Sequence, residues 1–183
     1  MTTLGPEDVH SFWFVEHGPA EWFAANPEFD TKLAERFTTT HEEASRGEAW
    51  AWRQTPLGRV AEIIVLDQFS RQLHRGSARA FAQDAMALAL AQEAVALGID
   101  RALTHPPQRQ FLYMPYMHSE STVVHQEAIR LFTELGDPKT LQFEVAHAQC
   151  IERFGRYPRR NAALGRESTP EEIDYINSGT GMF

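Results

Sequence analysis

The sequence predicts an all-α protein, a single domain over residues 1–183 built from antiparallel helical hairpins with about eight or nine helices. Three observations support this prediction. No segment shows the alternation of apolar and polar residues that a half-buried strand requires. Proline directly follows a capping residue at Asn26-Pro27 and Thr169-Pro170, which is typical of helix starts. Glycine closes several apolar segments, as expected where helices end.

The N-terminal part of the chain is rich in aromatic residues and in helix-start signals. We expect a first helix to begin at Gly5-Pro6, where two acidic residues follow in the first turn. A second helix begins at Asn26-Pro27 and ends near Gly47. A short helical segment around Trp50 and Trp52 then leads into the middle of the chain. The aromatic side chains of this part are expected to pack in the core.

The segment Leu57–Arg75 is predicted to be the central helix, around which the rest of the chain is organised. Thr55 can cap it, and the segment is apolar nearly all the way round, as in a buried helix. Three polar residues nevertheless lie in its middle: Asp67, Gln68 and Arg71. Because polar groups on a buried helix must be paired or functional, this helix indicates where a site lies.

The C-terminal half contains the remaining helix signals. Asp84 is predicted to cap a helix that Gly98 closes. Further helices are predicted from Pro106, after Ser121 up to Gly136, from Pro138 to Phe154, and from the capping box that begins at Thr169. Because proline interrupts helical hydrogen bonding, the helix that begins at Pro106 is expected to kink or break near Pro115.

Composition excludes several classes of function. The chain has 183 residues, of which 43% are hydrophobic, so it can bury a sizeable core. The net charge of −8 argues against general binding to nucleic acid or to anionic membranes. No apolar run is long enough to span a membrane, and the N-terminus lacks the pattern of a secretory signal. The single cysteine, Cys150, fits a cytoplasmic location. Lys32 and Lys139 are the only lysines, and arginine supplies the other basic residues.

The first candidate site residues lie on the central helix: Asp67, Gln68, Arg71 and Arg75. Asp67 and Arg71 are four residues apart, in the order that suits an ion pair on a helix. They could form a buried pair that ties helices together. Alternatively, Arg71 or Arg75 directs its guanidinium at a bound anion while Asp67 orients it.

The second candidate group follows the expected break at Pro115 and comprises His118, Ser119 and Glu120, with Gln126 on the next helix. His118 and Glu120 could perform acid–base chemistry. The alternative is a helix cap and loop in which the serines bond backbone amides. The spacing matches no dependable metal signature, so neither a metal nor another cofactor is predicted.

The third candidate group is a set of arginines near the C-terminus. It contains Arg153, Arg156, Arg159, Arg160, Asn161 and Arg166. In an acidic protein this local positive charge is either neutralised by structural acids or available for an anion. The turn expected at Pro158 would let these side chains converge.

These stretches together resemble the bacterial domain-of-unknown-function 924 family, over nearly the whole chain. The resemblance rests on Leu66–Phe69, Arg75-Gly76, Ala80-Phe81, Phe111–Tyr113, Met117–Glu120, Arg153–Arg156, Arg160-Asn161 and Leu164–Thr169. It implies a right-handed, tetratricopeptide-like array of helices and leaves the function unassigned.

The chain departs from the family pattern at three places. Ser70 and Gln72 flank Arg71 where the family usually has Pro before Arg-Asn, and Arg159 stands where a histidine usually precedes Arg160. His125 stands where the family often has Asp. Arg71, Arg160 and Asn161 are carried over by position, whereas any role of a histidine at 159 is not.

Three functions are compatible with this sequence. The preferred hypothesis is a binding protein that holds a small anion or a peptide carboxylate in an arginine-lined pocket. The second is a hydrolase or transferase that acts on an anionic substrate, with His118 or Glu120 as acid or base. The third is a protein-interaction scaffold with a concave helical surface. The oligomeric state is not predicted.

Overall fold

The computed structural model describes residues Leu4–Gly181, and all regular secondary structure within this range is helical. We number nine α-helices in chain order. They are α1 (Pro6–His10, continued by a π-helical segment, Ser11–Glu16), α2 (Pro19–Trp22), α3 (Pro27–Ser45), α4 (Pro56–Ile64, continued by a π-helical segment, Val65–Phe69, and a last turn, Ser70–Leu73), α5 (Asp84–Ala96), α6 (Pro106–Met117), α7 (Thr122–Leu135), α8 (Pro138–Phe154) and α9 (Pro170–Asn177). Short 3-10 segments lie at Trp50–Gln54, Ala78–Phe81, Ile99–Ala102 and Pro158–Arg160.

The helix starts follow the capping signals of the sequence. The Asn26 side chain accepts hydrogen bonds from the first amides of α3. Thr55 does the same for α4, and Thr169 with Glu172 forms a capping box on α9. Each of these residues satisfies amide groups that have no partner within the helix, so the predicted starts are confirmed.

The core surrounds α4 and is rich in aromatic rings. Phe69 of α4 lies 5.1 Å from Phe37 and 6.3 Å from Phe12, measured between ring centroids. Trp13 lies 5.6 Å from Phe69 and 5.3 Å from Phe111. All five rings are buried. The N-terminal helices therefore cover one side of α4, and α6 covers another, as the prediction of an aromatic core required.

The C-terminal half is a series of helices packed against their chain neighbours. α6 packs on α7, and α7 packs on α8. Because connections of a few residues join these helices, neighbours run antiparallel. This arrangement is compatible with a tetratricopeptide-like array, which stays a prediction.

One expectation about this region is wrong. α6 continues through Pro115 to Met117 instead of breaking near the proline. The amide of His118 donates to the carbonyl of Met114 at 3.0 Å, so helical hydrogen bonding resumes directly after Pro115. Pro115 therefore removes one helical hydrogen bond without ending the helix.

Within residues 4–181, no helix is both long and apolar enough to cross a membrane.

Candidate functional site

The π-helical segment Val65–Phe69 places polar groups inside the core. Asp67 is completely buried, and its carboxylate accepts a hydrogen bond from the side chain of Gln68. Arg71 lies 3.1 Å from the same carboxylate and donates to the Asp67 carbonyl at 2.7 Å. The wider turn of a π segment is a common device at functional sites, because it redirects side chains out of the regular helical pattern.

His118 meets this carboxylate from the end of α6. Its Nδ1 lies 2.7 Å from Oδ1 of Asp67, although 51 residues separate the two in sequence. Burial would raise the pKa of Asp67, but Arg71 and His118 outweigh that effect and hold it well below its usual range. Because an ionised carboxylate only accepts, the Nδ1 of His118 carries the proton. Nε2 is then the basic nitrogen of the ring.

The pKa of His118 is lowered, first by burial and then by the charge of Arg71, which together exceed the opposing effect of Asp67. The imidazole is therefore neutral near neutral pH. A neutral imidazole that is oriented by a buried carboxylate is the arrangement used for proton transfer in many active sites.

Asp84 joins two arginines from distant parts of the chain. Arg71 donates to both of its carboxylate oxygens, at 2.9 and 3.0 Å, and Arg160 donates to one of them at 3.1 Å. Arg160 also donates to the carbonyl of His118 at 3.1 Å. We call Asp67, Arg71, Asp84, His118 and Arg160 the arginine cluster.

Arg160 is held between two aromatic rings. Its guanidinium carbon lies 4.4 Å from the centroid of Tyr157 and 4.7 Å from that of Phe81. Contacts with two aromatic rings favour a fixed position of this cation. Burial and the charge of Arg71 lower the pKa of Arg160, so this cation is costly to keep in place without nearby anions.

Glu120 lies in a neighbouring network. Both of its carboxylate oxygens bind Arg166, at 2.7 and 2.9 Å, and the backbone amide of Tyr157 donates to it at 2.7 Å. Arg166 also donates to the side chain of Asn161 at 2.9 Å. Burial raises the pKa of Glu120, but the hydrogen bonds from Arg166 and Tyr157 lower it by more than that. The net pKa is below the usual value, so Glu120 remains ionised. This geometry suits a structural carboxylate better than an acid catalyst.

Several other predicted site residues lie outside the arginine cluster. Arg75 binds Asp30 at 2.9 Å, Arg153 binds Glu171 at 2.8 Å, and Arg156 binds the buried Glu172 at 2.7 Å. Arg159 donates to backbone carbonyls near the C-terminus. Gln126 is exposed, and Ser119 contributes its carbonyl to His125.

The structure thus brings together five of the predicted residues, namely Asp67, Gln68, Arg71, His118 and Arg160. The other predicted arginines pair with acids, except Arg159, which binds backbone carbonyls. One cleft lies beside His41 and another lies beside Pro6, and neither is lined by a predicted site residue. Within the described part of the chain, no three His, Cys, Asp or Glu residues are grouped so that they could hold a metal ion.

Sequence reasoning missed Asp84, Phe81 and Tyr157. Asp84 was expected to cap α5, but it is the first residue of that helix and its side chain instead binds arginines. The sequence around an aspartate at a helix start looks the same whether the side chain caps the helix or binds an arginine. Only the distant partners, Arg71 and Arg160, distinguish the two.

The sequence model of a bacterial family of proteins of unknown function, DUF924, matches residues 9–180. The chain belongs to this family. A solved structure of a protein of unknown function from Agrobacterium tumefaciens is similar to this DUF924 protein, with 36% sequence identity and a TM-score of 0.89. The similarity covers 95% of this chain and 97% of that chain. A comparison with curated proteins finds no match.

Proposed function

We propose that this DUF924 protein binds a small anionic ligand, or the carboxylate of a peptide, at the arginine cluster. One observation carries the proposal. Arg71 and Arg160, from segments far apart in sequence, direct their guanidinium groups at the same carboxylate, that of Asp84. A planar guanidinium fork has the geometry that recognises carboxylate and phosphate groups.

The cluster lies partly at the surface. The side chains of Arg71 and Asp84 are 19% and 20% exposed, whereas Asp67 behind them is fully buried. The charges of the two arginines balance those of Asp67 and Asp84 when His118 is neutral. A ligand must therefore replace Asp84 at the arginines, and Asp84 acts as an internal competitor for the ligand.

This competition gives a direct test. The Asp84→Asn variant should bind anions more tightly than the natural protein, because the substitution leaves two arginines opposite one carboxylate. The measurement is the rise in melting temperature over a panel of carboxylates and phosphate esters. Adding Arg160→Gln to Asp84→Asn should remove the gain.

The matched control is Asp30→Asn. Asp30 also binds an arginine through both carboxylate oxygens, but it does so at the surface, with Arg75. This variant loses the same charge outside the cluster. The proposal is refuted if no anion raises the melting temperature of either the natural protein or Asp84→Asn, or if Asp30→Asn gains as much as Asp84→Asn.

A second candidate function is acid–base catalysis on an anionic substrate, which the Asp67–His118 hydrogen bond favours. In this case Asp67 positions the ring, Nε2 of His118 accepts a proton, and Arg71 and Arg160 hold the substrate. The His118→Gln variant discriminates between the two. It should keep anion binding in both cases, and it should abolish turnover of anionic esters or phosphoesters only if the protein is an enzyme.

A further inference from the structure

A cleft of about 150 Å³ lies near the C-terminal end of the central helix. It is formed where the end of α3, the end of α4 and the 3-10 segment Ala78–Phe81 meet. Its charged and polar lining residues are His41, Glu42, Ser45, Arg46, His74 and Arg79. None of them belongs to the arginine cluster.

Two buried polar atoms in the residues that line this cleft have no hydrogen-bond partner among residues 4–181: Oγ of Ser45 and Nε2 of His74. Leaving a buried donor or acceptor unsatisfied costs about 1–3 kcal/mol for each group. Seven buried side-chain atoms lack a partner among the described residues, and two of them belong to this one cleft, where a bound ligand could complete their hydrogen bonds.

His41 presents a defined tautomer to the cleft. Oγ of Ser70 donates to the carbonyl of Leu66 at 2.6 Å, so it must accept from Nε2 of His41, which lies 2.7 Å away. The proton of the neutral ring is therefore on Nε2, and Nδ1 is the nitrogen that titrates. Burial, His74 and Arg79 lower the pKa of His41 to about 4.

Among the residues that line the cleft, the charges of Arg79 and Glu42 balance while both histidines are neutral. Arg79 is exposed and forms no ion pair within the described range, whereas Arg46 is neutralised by Glu48 at 2.7 Å. The pKa of His74 is lowered by burial and by Arg79, and Glu42 opposes this shift. Hydroxyl, imidazole and guanidinium donors outnumber the one carboxylate, that of Glu42. The lining therefore accumulates positive charge as soon as a histidine binds a proton.

We infer that this cleft is a second binding site, which holds a free oxyanion of the size of sulfate or phosphate through Arg79, His74 and Ser45. The cleft is small, and its guanidinium, imidazole and hydroxyl groups suit a compact oxyanion. The bound anion supplies acceptors for the Ser45 hydroxyl and for a protonated His74. It also offsets the repulsion that Arg79 imposes on both histidines.

Histidine NMR signals of the full chain provide the test, with sulfate as the probe because its charge does not change in this pH range. Sodium sulfate is titrated against sodium chloride at equal ionic strength, at about pH 6. The ring signals of His41 and His74, assigned with His41→Gln and His74→Gln, should shift and saturate. The pKa of His74 should rise, because the anion stabilises its charged form.

Arg79→Gln should weaken sulfate binding by about tenfold or more, which corresponds to the loss of one charge-assisted hydrogen bond. Arg101→Gln is the matched control. Arg101 is likewise exposed, lies in a 3-10 segment (Ile99–Ala102) and has no ion pair among the described residues. Its replacement should leave sulfate binding unchanged.

Three results would overturn the inference. The histidine shifts could fail to saturate, chloride could reproduce them, or Arg101→Gln could weaken binding as much as Arg79→Gln. The Arg160→Gln variant separates this site from the arginine cluster. It should leave the sulfate response of His41 and His74 intact, and loss of that response would place the anion elsewhere.

Discussion

Replacement of Asp67 by asparagine tests whether the arginine cluster depends on a buried charge. The carboxylate of Asp67 is fully buried and lies 2.7 Å from Nδ1 of His118 and 3.1 Å from Arg71. Removing one member of a buried ion pair costs about 3–5 kcal/mol. Two features reduce this cost here. Arg71 keeps its ion pair with Asp84, and the side-chain carbonyl of the asparagine can still accept the hydrogen bond from His118. We therefore expect a loss of about 2–3 kcal/mol in the free energy of unfolding.

Urea unfolding at neutral pH measures this loss, and Asp30→Asn provides the control. Asp30 binds the half-exposed Arg75 at the surface, where an ion pair contributes about 1 kcal/mol at most. The two variants remove the same charge from an aspartate bound to arginine. If Asp67→Asn costs no more than Asp30→Asn, the cluster is not held together by a buried charge and the reasoning fails.

The acid limb of the stability curve provides a second measurement on the same variant. Because the pKa of Asp67 is held well below its unfolded value, its contribution is complete above about pH 4 and is lost as the pH falls further. Asp67→Asn should therefore flatten the loss of stability in acid. An unchanged acid limb would contradict the assigned ion pair.

Three further predictions concern other parts of the molecule. The pKa of His41 is about 4 in the folded protein and about 6.5 in the unfolded chain, so the unfolded chain binds a proton first. The free energy of unfolding should therefore fall by up to about 3 kcal/mol as the pH drops from 6.5 to about 4. His41→Gln should remove this pH dependence. Phe69→Ala should cost about 3–5 kcal/mol in urea unfolding because Phe69 is fully buried, whereas Phe143→Ala, at an exposed position, should cost less than about 1 kcal/mol. Glu120→Gln should lower the free energy of unfolding by about 1–3 kcal/mol, because it weakens the hydrogen bonds to Arg166. Anion binding should be unchanged, and a loss of binding would show that Glu120 belongs to the ligand site.

Local signals in the sequence predicted the helices well, because capping is a local interaction. Asn26, Thr55 and Thr169 each bond amides within a few residues of themselves, so their roles follow from their neighbours. The proline rule failed at Pro115 for a related reason. The rule considers only the hydrogen bond that a proline removes from its own helix. Pro115 is buried, and the tertiary packing of α6 keeps the segment helical despite that loss.

The partners of the candidate site residues are not local, so the sequence predicted the polar residues without predicting their pairing. Asp67 was expected on a buried face, and the structure confirms that position. Its bond to His118 spans 51 residues, and the contact between Asp84 and Arg160 spans 76. No periodicity connects residues at such distances, which are brought together only when α4, α5, α6 and the segment Pro158–Arg160 pack.

The π-helical segment of α4 explains how one helix serves two separate polar sites. In a regular α-helix, Asp67 and Ser70 would lie about 60° apart around the axis, on nearly the same face. A π turn contains more residues and increases this angle. Asp67 can therefore bind His118 in the arginine cluster, while Ser70 binds His41 beside the anion cleft. Both histidines have a lowered pKa, and the hydrogen-bond partner of each lies in this irregular turn or directly after it.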